Sequence, residues 1–248
     1  KRKNIKRKNM EYQVVTVANK IPMESYYTFH EHFRSLGNTE SLVLGTNPGQ
    51  YGGLGSKPRL IHQAIKEGGI PTKYIIFCDC FDLVFACEID ELFETFLAFN
   101  SPFVISAERN CFPDTYKKEY DKLNPNGSSY QYLNSGMIVA ETEALYAVLE
   151  HMDAANIPND YWDGEKMVNP NDQEYYQKAF LEQPVKMTLD YDQILCNTLH
   201  DVIIDDLDFS KERIRNWETK TYPCSFHLNG GSKTGGLREP ILKHLKLM

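Results

Sequence analysis

The sequence predicts a single α/β domain with a mainly parallel central sheet, on three observations. Short apolar runs rich in β-branched and aromatic residues alternate with longer stretches whose apolar residues recur at helical spacing. The run Tyr74-Ile75-Ile76-Phe77-Cys78 has no polar face, as expected of a strand buried on both sides. It ends in Asp79-Cys80-Phe81-Asp82, and ligands of open α/β sheets bind beyond the carboxyl ends of such strands.

Taken in order, Tyr12 to Ala18 reads as a first strand, and Met23 to Leu36 as a helix with Tyr26, Phe29, Phe33 and Leu36 on one face. Ser41 to Leu44 is a second strand. Gly45 to Gly55 holds five glycines and a proline, the composition of a tight turn or of a loop close to a ligand. A helix from Pro58 to Glu67 leads to the strand at Tyr74. Ile89 to Asn100 gathers Leu92, Phe93, Phe96 and Leu97 on one helical face, and Phe103 to Ser106 is a short strand. Arg109 to Tyr132 is polar and turn-rich and reads as a long surface excursion. The sheet resumes at Met137 to Ala140, and a helix follows from Glu143 to Ala154. A loop spans Asn156 to Asn171, after which Asp172 can cap a helix running to Leu181. Strands are expected at Lys186 to Leu189, Val202 to Ile204, Ile214 to Asn216 and Ser225 to Leu228, before a last helix from Glu239. No repeat or interdomain linker interrupts this order.

At 248 residues and 42% hydrophobic content the chain can bury a core without disulfides or structural metal. Its 27 Lys and Arg face 34 Asp and Glu, yet six of the basic residues fall within Lys1 to Lys8. Residues 1–11 therefore read as a basic, disordered leader in preference to a membrane or nucleic-acid tether, and residues 12–248 as one acidic domain. An acidic body argues against nucleic acid as a partner, which calls for a basic footprint. No stretch has the apolar length of a membrane span, and no apolar signal segment follows the basic start. The six cysteines lack Cys-x-x-Cys zinc spacing. Cys78 and Cys80 share one side of their strand, opposite Asp79, as small buried hydrophobes.

Asp79 and Asp82 are the primary candidates for chemistry. Two carboxylates at a strand end suit Mg²⁺ or Mn²⁺ carrying the diphosphate of a nucleotide sugar, although the same pair could simply cap the turn. Ser225-Phe226-His227-Leu228-Asn229-Gly230-Gly231-Ser232-Lys233 runs from a strand into a glycine turn. His227 can complete a carboxylate metal site or serve as a structural histidine. The turn can bring backbone amides and Lys233 to phosphate oxygens. Tyr161 and Trp162 either stack on a sugar or pack their loop onto the domain.

The ordered set Val15-Thr16-Val17-Ala18, FCDCFD (77–82), SAERNCFP (106–113), YLNSGMIV (132–139), NDQ (171–173), LDYD (189–192) and HLNGGSK (227–233) resembles the N-terminal glycosyltransferase domain of the multifunctional procollagen lysyl hydroxylases. The resemblance runs from about Tyr12 onward. It implies a glycosyltransferase-A type, Rossmann-like fold, Mn²⁺, a UDP-sugar donor, and retaining transfer of glucose from UDP-glucose to galactosyl-hydroxylysine of a collagen-like polypeptide. In some members hydroxylysine itself is the acceptor, and a non-catalytic UDP-sugar or collagen-binding module is a further reading. By the same resemblance Asp79, Asp82 and His227 match metal ligands, and Thr16 and Val17 lie beside the uracil and ribose. Tyr51 belongs to the loop over the nucleotide, Lys57 contacts the donor, and Asn229, Gly230 and Lys233 form the diphosphate turn. Asn134, Asp172 and Asp190 would face the sugar or the acceptor in catalysis. The family also implies the lumen of the endoplasmic reticulum, and leaves a homodimer open. Three departures bear on acceptor preference more than on donor binding: the short Asn171-Asp172-Gln173 in place of a longer acidic run, Phe81 in place of tyrosine, and Phe112 in place of tryptophan.

Overall fold

The computed structural model describes residues 11–18, 29–123, 127–233 and 236–248. In chain order the elements are β1 (Tyr12–Val17), α1 (Phe29–Ser35), β2 (Ser41–Leu44), α2 (Ser56–Lys66), β3 (Tyr74–Cys78), β4 (Leu83–Phe85), α3 (Ile89–Ala98) and β5 (Phe103–Glu108). There follow α4 (Lys117–Leu123), β6 (Tyr132–Glu141), α5 (Thr142–His151), β7 (Tyr161–Trp162), β8 (Met167–Val168) and α6 (Asp172–Glu182). The chain closes with β9 (Met187–Asp190), β10 (Cys196–Thr198), β11 (Leu207–Asp208), β12 (Arg215–Asn216), β13 (Ser225–His227) and α7 (Arg238–His244).

The apolar run of β3 sits inside a six-stranded sheet of order β2-β1-β3-β6-β5-β9. β1 pairs in parallel with β2 and β3, and β5 with β9, while β6 runs antiparallel to both its neighbours. All five residues of β3 are buried, as its lack of a polar face requires. Alternation divides the side chains between two cores: Val15, Ile75, Phe77, Ile105 and Ile138 on one face, Val14, Ile76, Cys78, Val104 and Val139 on the other. On the second face α3 lays Leu92, Phe93 and Phe96 against the sheet, with the Phe93 ring 4.9 Å from Tyr12 and 5.0 Å from Tyr74. Each such side chain contributes roughly 1.5–3 kcal/mol by leaving water. No helix among the described residues is long and apolar enough to cross a membrane.

A second, three-stranded sheet of order β10-β13-β4 closes over the carboxyl end of β3. Neither β4 nor β10 is legible in the sequence, because three residues carry no period and neither is framed by a turn signal as β13 is. β4 is fixed by α1: His32 Nδ1 donates to the Leu83 carbonyl at 2.7 Å, and the Phe85 amide donates to Ser35 Oγ at 3.0 Å. Of the helix expected from Met23, the structure describes Phe29–Ser35, and Met23 to Thr28 lie outside the described residues, as does all of the basic leader but Glu11.

Three further expectations are corrected. Arg109 to Tyr132 is not only a surface excursion: it contains α4, and Tyr120 and Tyr130 are fully buried. Tyr120 stacks on Phe180 at 5.6 Å, and the Tyr130 hydroxyl accepts a hydrogen bond from Asn216 at 2.9 Å, so a polar stretch is drawn inward by two tyrosines with satisfied tips. Val202 to Ile204 forms no strand. Ile203 and Ile204 are exposed, a 3-10 turn occupies Ile204–Asp206, and pairing begins only at Leu207. The N-cap of α6 is Asn171, whose Oδ1 accepts from the Gln173 amide at 3.0 Å, which leaves the Asp172 carboxylate available elsewhere.

Burial lowers the His32 pKa from 6.5 to about 4, against the opposing pull of its bond to Leu83 and of Asp82 and Asp79. The unfolded chain therefore binds this proton between pH 6.5 and 4 while the folded chain does not, so stability falls as pH falls through that window. Urea unfolding at pH 7 and pH 5 should show a loss of about 2 kcal/mol attributable to this group. The loss should shrink in His32→Gln; an equal loss in the variant would remove His32 as its source.

Candidate active site

The two sheets meet where β3 ends. The Asp79 amide donates to the Gly136 carbonyl at 2.9 Å, which pins the turn after β3 to β6. Asp82 precedes β4, and the antiparallel β4/β13 register sets His227 opposite Leu83, with the Leu228 amide on the Asp82 carbonyl at 2.6 Å. His227 Nε2 consequently stands 3.3 Å from Asp82 Oδ1 and 3.8 Å from Asp79 Oδ2. The donor atoms of these three residues all lie within 4.8 Å of one another.

The imidazole is fixed from behind. His227 Nδ1 donates to Asn134 Oδ1 at 3.0 Å, and the same oxygen accepts the Gly136 amide at 3.0 Å. With Nδ1 engaged there, Nε2 is the ring nitrogen that faces the carboxylates, the arrangement of a histidine ligand braced by a second residue. Gly136 is obligatory for it: a Cβ there would stand 2.1 Å from His227 Cε1. Two carboxylates and one neutral imidazole form a donor set that fits a hard or borderline divalent cation.

Around these donors lies a cavity of about 420 Å³, lined among others by Lys57, Glu108, Phe112, Asn134, Asp172, His200, Asn229 and Gly230. Lys57 is buried, with Nζ 2.7 Å from Asp79 Oδ1 and 3.6 Å from Asp172 Oδ2. Burial alone would lower its pKa, but Asp172 and Asp79 overcome this and hold it well above the ordinary lysine value. The Asp172 pKa is raised by burial and opposed by Lys57, and its Oδ2 accepts from Ser135 Oγ at 3.1 Å. The His227 pKa is raised: burial acts downward, and Asp82 and Asp79 outweigh it. Tyr51 is partly buried, and its charged neighbours include Lys57, Asp79 and Asp172.

The residues expected to serve the reaction separate into those the cavity gathers and those it does not. Asn134 lines the cavity, but its amide is engaged with His227, Gly136 and Glu108, so it acts through the imidazole. Asn229 is likewise a brace: its Oδ1 accepts from the Leu199 and His200 amides and its Nδ2 donates to Glu108 at 2.8 Å. Gly230 lies on the wall at φ +58°, where a Cβ would meet the His200 ring at 2.9 Å. The Lys233 side chain is outside the described residues. Thr16 and Val17 are buried in β1 and do not line the cavity, and the Thr16 hydroxyl has no hydrogen-bond partner among the described residues. Asp190 requires correction, for its carboxylate is turned away from the cavity and accepts the amides of Ile194, Leu195 and Cys196 at 2.8–3.0 Å. It shapes the turn into β10.

The glycine loop is also put to a different use than a ligand cradle. Gly53, at φ +110°, presses on Asp160, whose carboxylate would overlap a Cβ, and the Asp160 amide donates to the Gly52 carbonyl at 2.7 Å. This contact carries the β7/β8 hairpin, on which Tyr161 and Trp162 are 46% and 63% exposed rather than packed down. Among the residues not singled out in the sequence, Glu108 is the most central. It is buried at the carboxyl end of β5, and Asn134, Gln173 and Asn229 all donate to it. Burial raises its pKa against those donors. Its signal was available, since it is a carboxylate closing an apolar strand just as Asp79 is.

A family model described as "PLOD GT domain" matches residues 8–237. Procollagen-lysine,2-oxoglutarate 5-dioxygenase of Drosophila melanogaster is 27% identical over 242 residues, covering 91% of this chain and 31% of that protein. Procollagen-lysine,2-oxoglutarate 5-dioxygenase 1 of Rattus norvegicus is 28% identical over 214 residues, covering 83% and 27%. An uncharacterized protein, R699, of Acanthamoeba polyphaga mimivirus is 30% identical over 165 residues, covering 65% and 32%. The chain thus spans about a third of the length of these curated relatives. Among solved structures, mouse xyloside xylosyltransferase 1 superimposes with a TM-score of 0.54 at 13% identity, over 89% of this chain and 98% of that one. The shared architecture is the glycosyltransferase-A type.

If the Asp79–Asp82–His227 set binds a divalent cation and Asn134 sets the imidazole, Asn134→Ala should weaken Mn²⁺ binding about 10–100-fold in calorimetry. Gly136→Ala should weaken it by displacing the ring. Unchanged affinity in both would show that His227 is not oriented from this side.

Proposed function

Because the chain belongs to the family of PLOD glycosyltransferase domains and is itself a glycosyltransferase, we propose that it transfers glucose from UDP-glucose to galactosyl-hydroxylysine of a collagen-like polypeptide, with Mn²⁺ held by Asp79, Asp82 and His227. The observation that carries this reading is the braced Asp79–Asp82–His227 set opening into a cavity at the end of β3. A divalent ion bound there supplies Lewis-acid stabilisation to the charge that develops on a departing nucleotide diphosphate. A cavity of this size matches the usual range for small-molecule sites.

The chain's own residues divide the remaining work. Lys57 places its ammonium between Asp79 and Asp172 and offsets part of the cost of their crowded negative charge. In a retaining transfer the anomeric carbon–phosphate oxygen bond breaks, and the acceptor oxygen bonds from the same face. The acceptor proton passes to the leaving phosphate, and no strongly basic side chain is needed. Asp172 is then the supported choice for orienting the acceptor or for countering positive charge on the sugar ring, because its carboxylate faces the cavity. The Gly230 turn, whose backbone reaches the cavity wall, suits contact with phosphate oxygens. The amine of hydroxylysine is cationic, and the acidic body of the chain suits its recruitment.

The test is one matrix: UDP-glucose and UDP-galactose, each against a hydroxylysine collagen-like peptide with and without galactose, in Mn²⁺, read by peptide mass. A hexose gain only with UDP-glucose and the galactosylated peptide is expected. Gain on bare hydroxylysine would replace this reading by a transferase acting directly on that residue. UDP binding with no UDP released from any donor would replace it by a non-catalytic module. Asp79→Ala should reduce transfer to background. Asp172→Asn should lower kcat about 100-fold with little change in KM for the donor; full activity in either variant would remove that residue from its assigned role.

A further inference from the structure

Away from the cavity, a second cluster of reactive side chains joins β4 and β13, the strands whose pairing sets Asp82 beside His227. Cys87 follows β4, Cys224 precedes β13, and Glu91 lies in the first turn of α3. Their sulfur and oxygen atoms all lie within 4.8 Å of one another. The antiparallel pair Ser225–Phe85 is extended by the Ala86 amide on the Cys224 carbonyl at 2.8 Å, and the Cys87 thiol points at that carbonyl, 3.7 Å away. Both cysteines are free thiols, Cys87 half-buried and Cys224 buried. Glu91 is engaged by the Arg213 guanidinium, which also donates to the carbonyls of Tyr222 and Pro223. An arginine-paired carboxylate is a poor metal ligand, and what remains is two sulfurs in reach of each other across adjoining strand ends.

We propose that Cys87 and Cys224 form a redox-responsive disulfide that staples β4 to β13. The oxidant is a small disulfide such as oxidised glutathione. The accessible Cys87 sulfur attacks one glutathione sulfur, the other glutathione leaves as its thiol, and a mixed disulfide forms. Cys224 then attacks the Cys87 sulfur and expels the second glutathione. The two protein thiols are oxidised, one glutathione disulfide is reduced to two glutathiones, and the thiol protons go to the departing sulfurs. The resolving role suits Cys224, the more buried of the two, whose sulfur lies within reach of the Cys87 sulfur.

The staple would join residues 137 apart in sequence and lock the register that sets His227 beside Asp82. It is independent of which sugar or acceptor the cavity takes. The experiment equilibrates the whole chain in glutathione buffers from reducing to oxidising, followed by alkylation, non-reducing digestion and peptide mass analysis. A Cys87–Cys224 linked peptide that disappears on reduction is expected, with a Tm higher by on the order of 5 °C in the oxidised form. Cys87→Ser should lose both the link and the Tm shift, and Cys224→Ala should trap glutathione on Cys87. Alkylation of both thiols after oxidising equilibration, persistent glutathione on Cys87 in the unmodified chain, or pairing of either cysteine elsewhere would overturn the proposal.

Discussion

The hydrogen bond from His227 Nδ1 to Asn134 Oδ1 decides which ring nitrogen meets the carboxylates, and much of the site is arranged around keeping it. Asn134 stays in place because its own amide is held by Glu108, and Glu108 is in turn held by Gln173 and Asn229. The network draws on β5, β6, α6 and the turn after β13, so elements distant in sequence meet on one buried oxygen pair. A network of this kind is stable only when every member is satisfied. The strand β6 carries Asn134, Ser135 and Gly136 beyond the end of β3 and through the irregularity in its pairing with β5.

Charge is the second constraint. Asp79, Asp82, Asp172 and Glu108 crowd one cavity, and Lys57 is the cation placed between two of them. Removing one partner of a buried pair typically costs about 3–5 kcal/mol, because the other is left uncompensated. Lys57 is thus a structural requirement of the cavity whatever it contacts on a ligand. Helix α2 presents it from the stretch that follows the glycine loop.

Much of this was legible in advance where a single local rule applied. The buried strand β3 and its terminal carboxylates follow from one apolar run, and β2 was bounded as observed, at Ser41–Leu44. His227 was legible because a strand and a glycine turn frame it. What was not legible depended on pairing between distant segments. β4 and β10 are strands only because β13 lies between them, and Asp190 looked like a sugar-facing acid although three amides of the following turn claim it. Tyr120 and Tyr130 were hidden in a polar stretch whose partners, Phe180 and Asn216, lie far along the chain. Glu108 closes an apolar strand as Asp79 does, but the partners that make it central, Asn134, Gln173 and Asn229, lie far along the chain.

The contact between Gly53 and Asp160 has a consequence for how such a domain can diversify. It fixes the base of the β7/β8 hairpin to the loop ahead of Lys57, while Tyr161, Trp162 and Met167 on the hairpin are exposed. These exposed tips can change in sequence more freely than the buried Asp82 and His227, where the close packing of the imidazole against Gly136 admits little else.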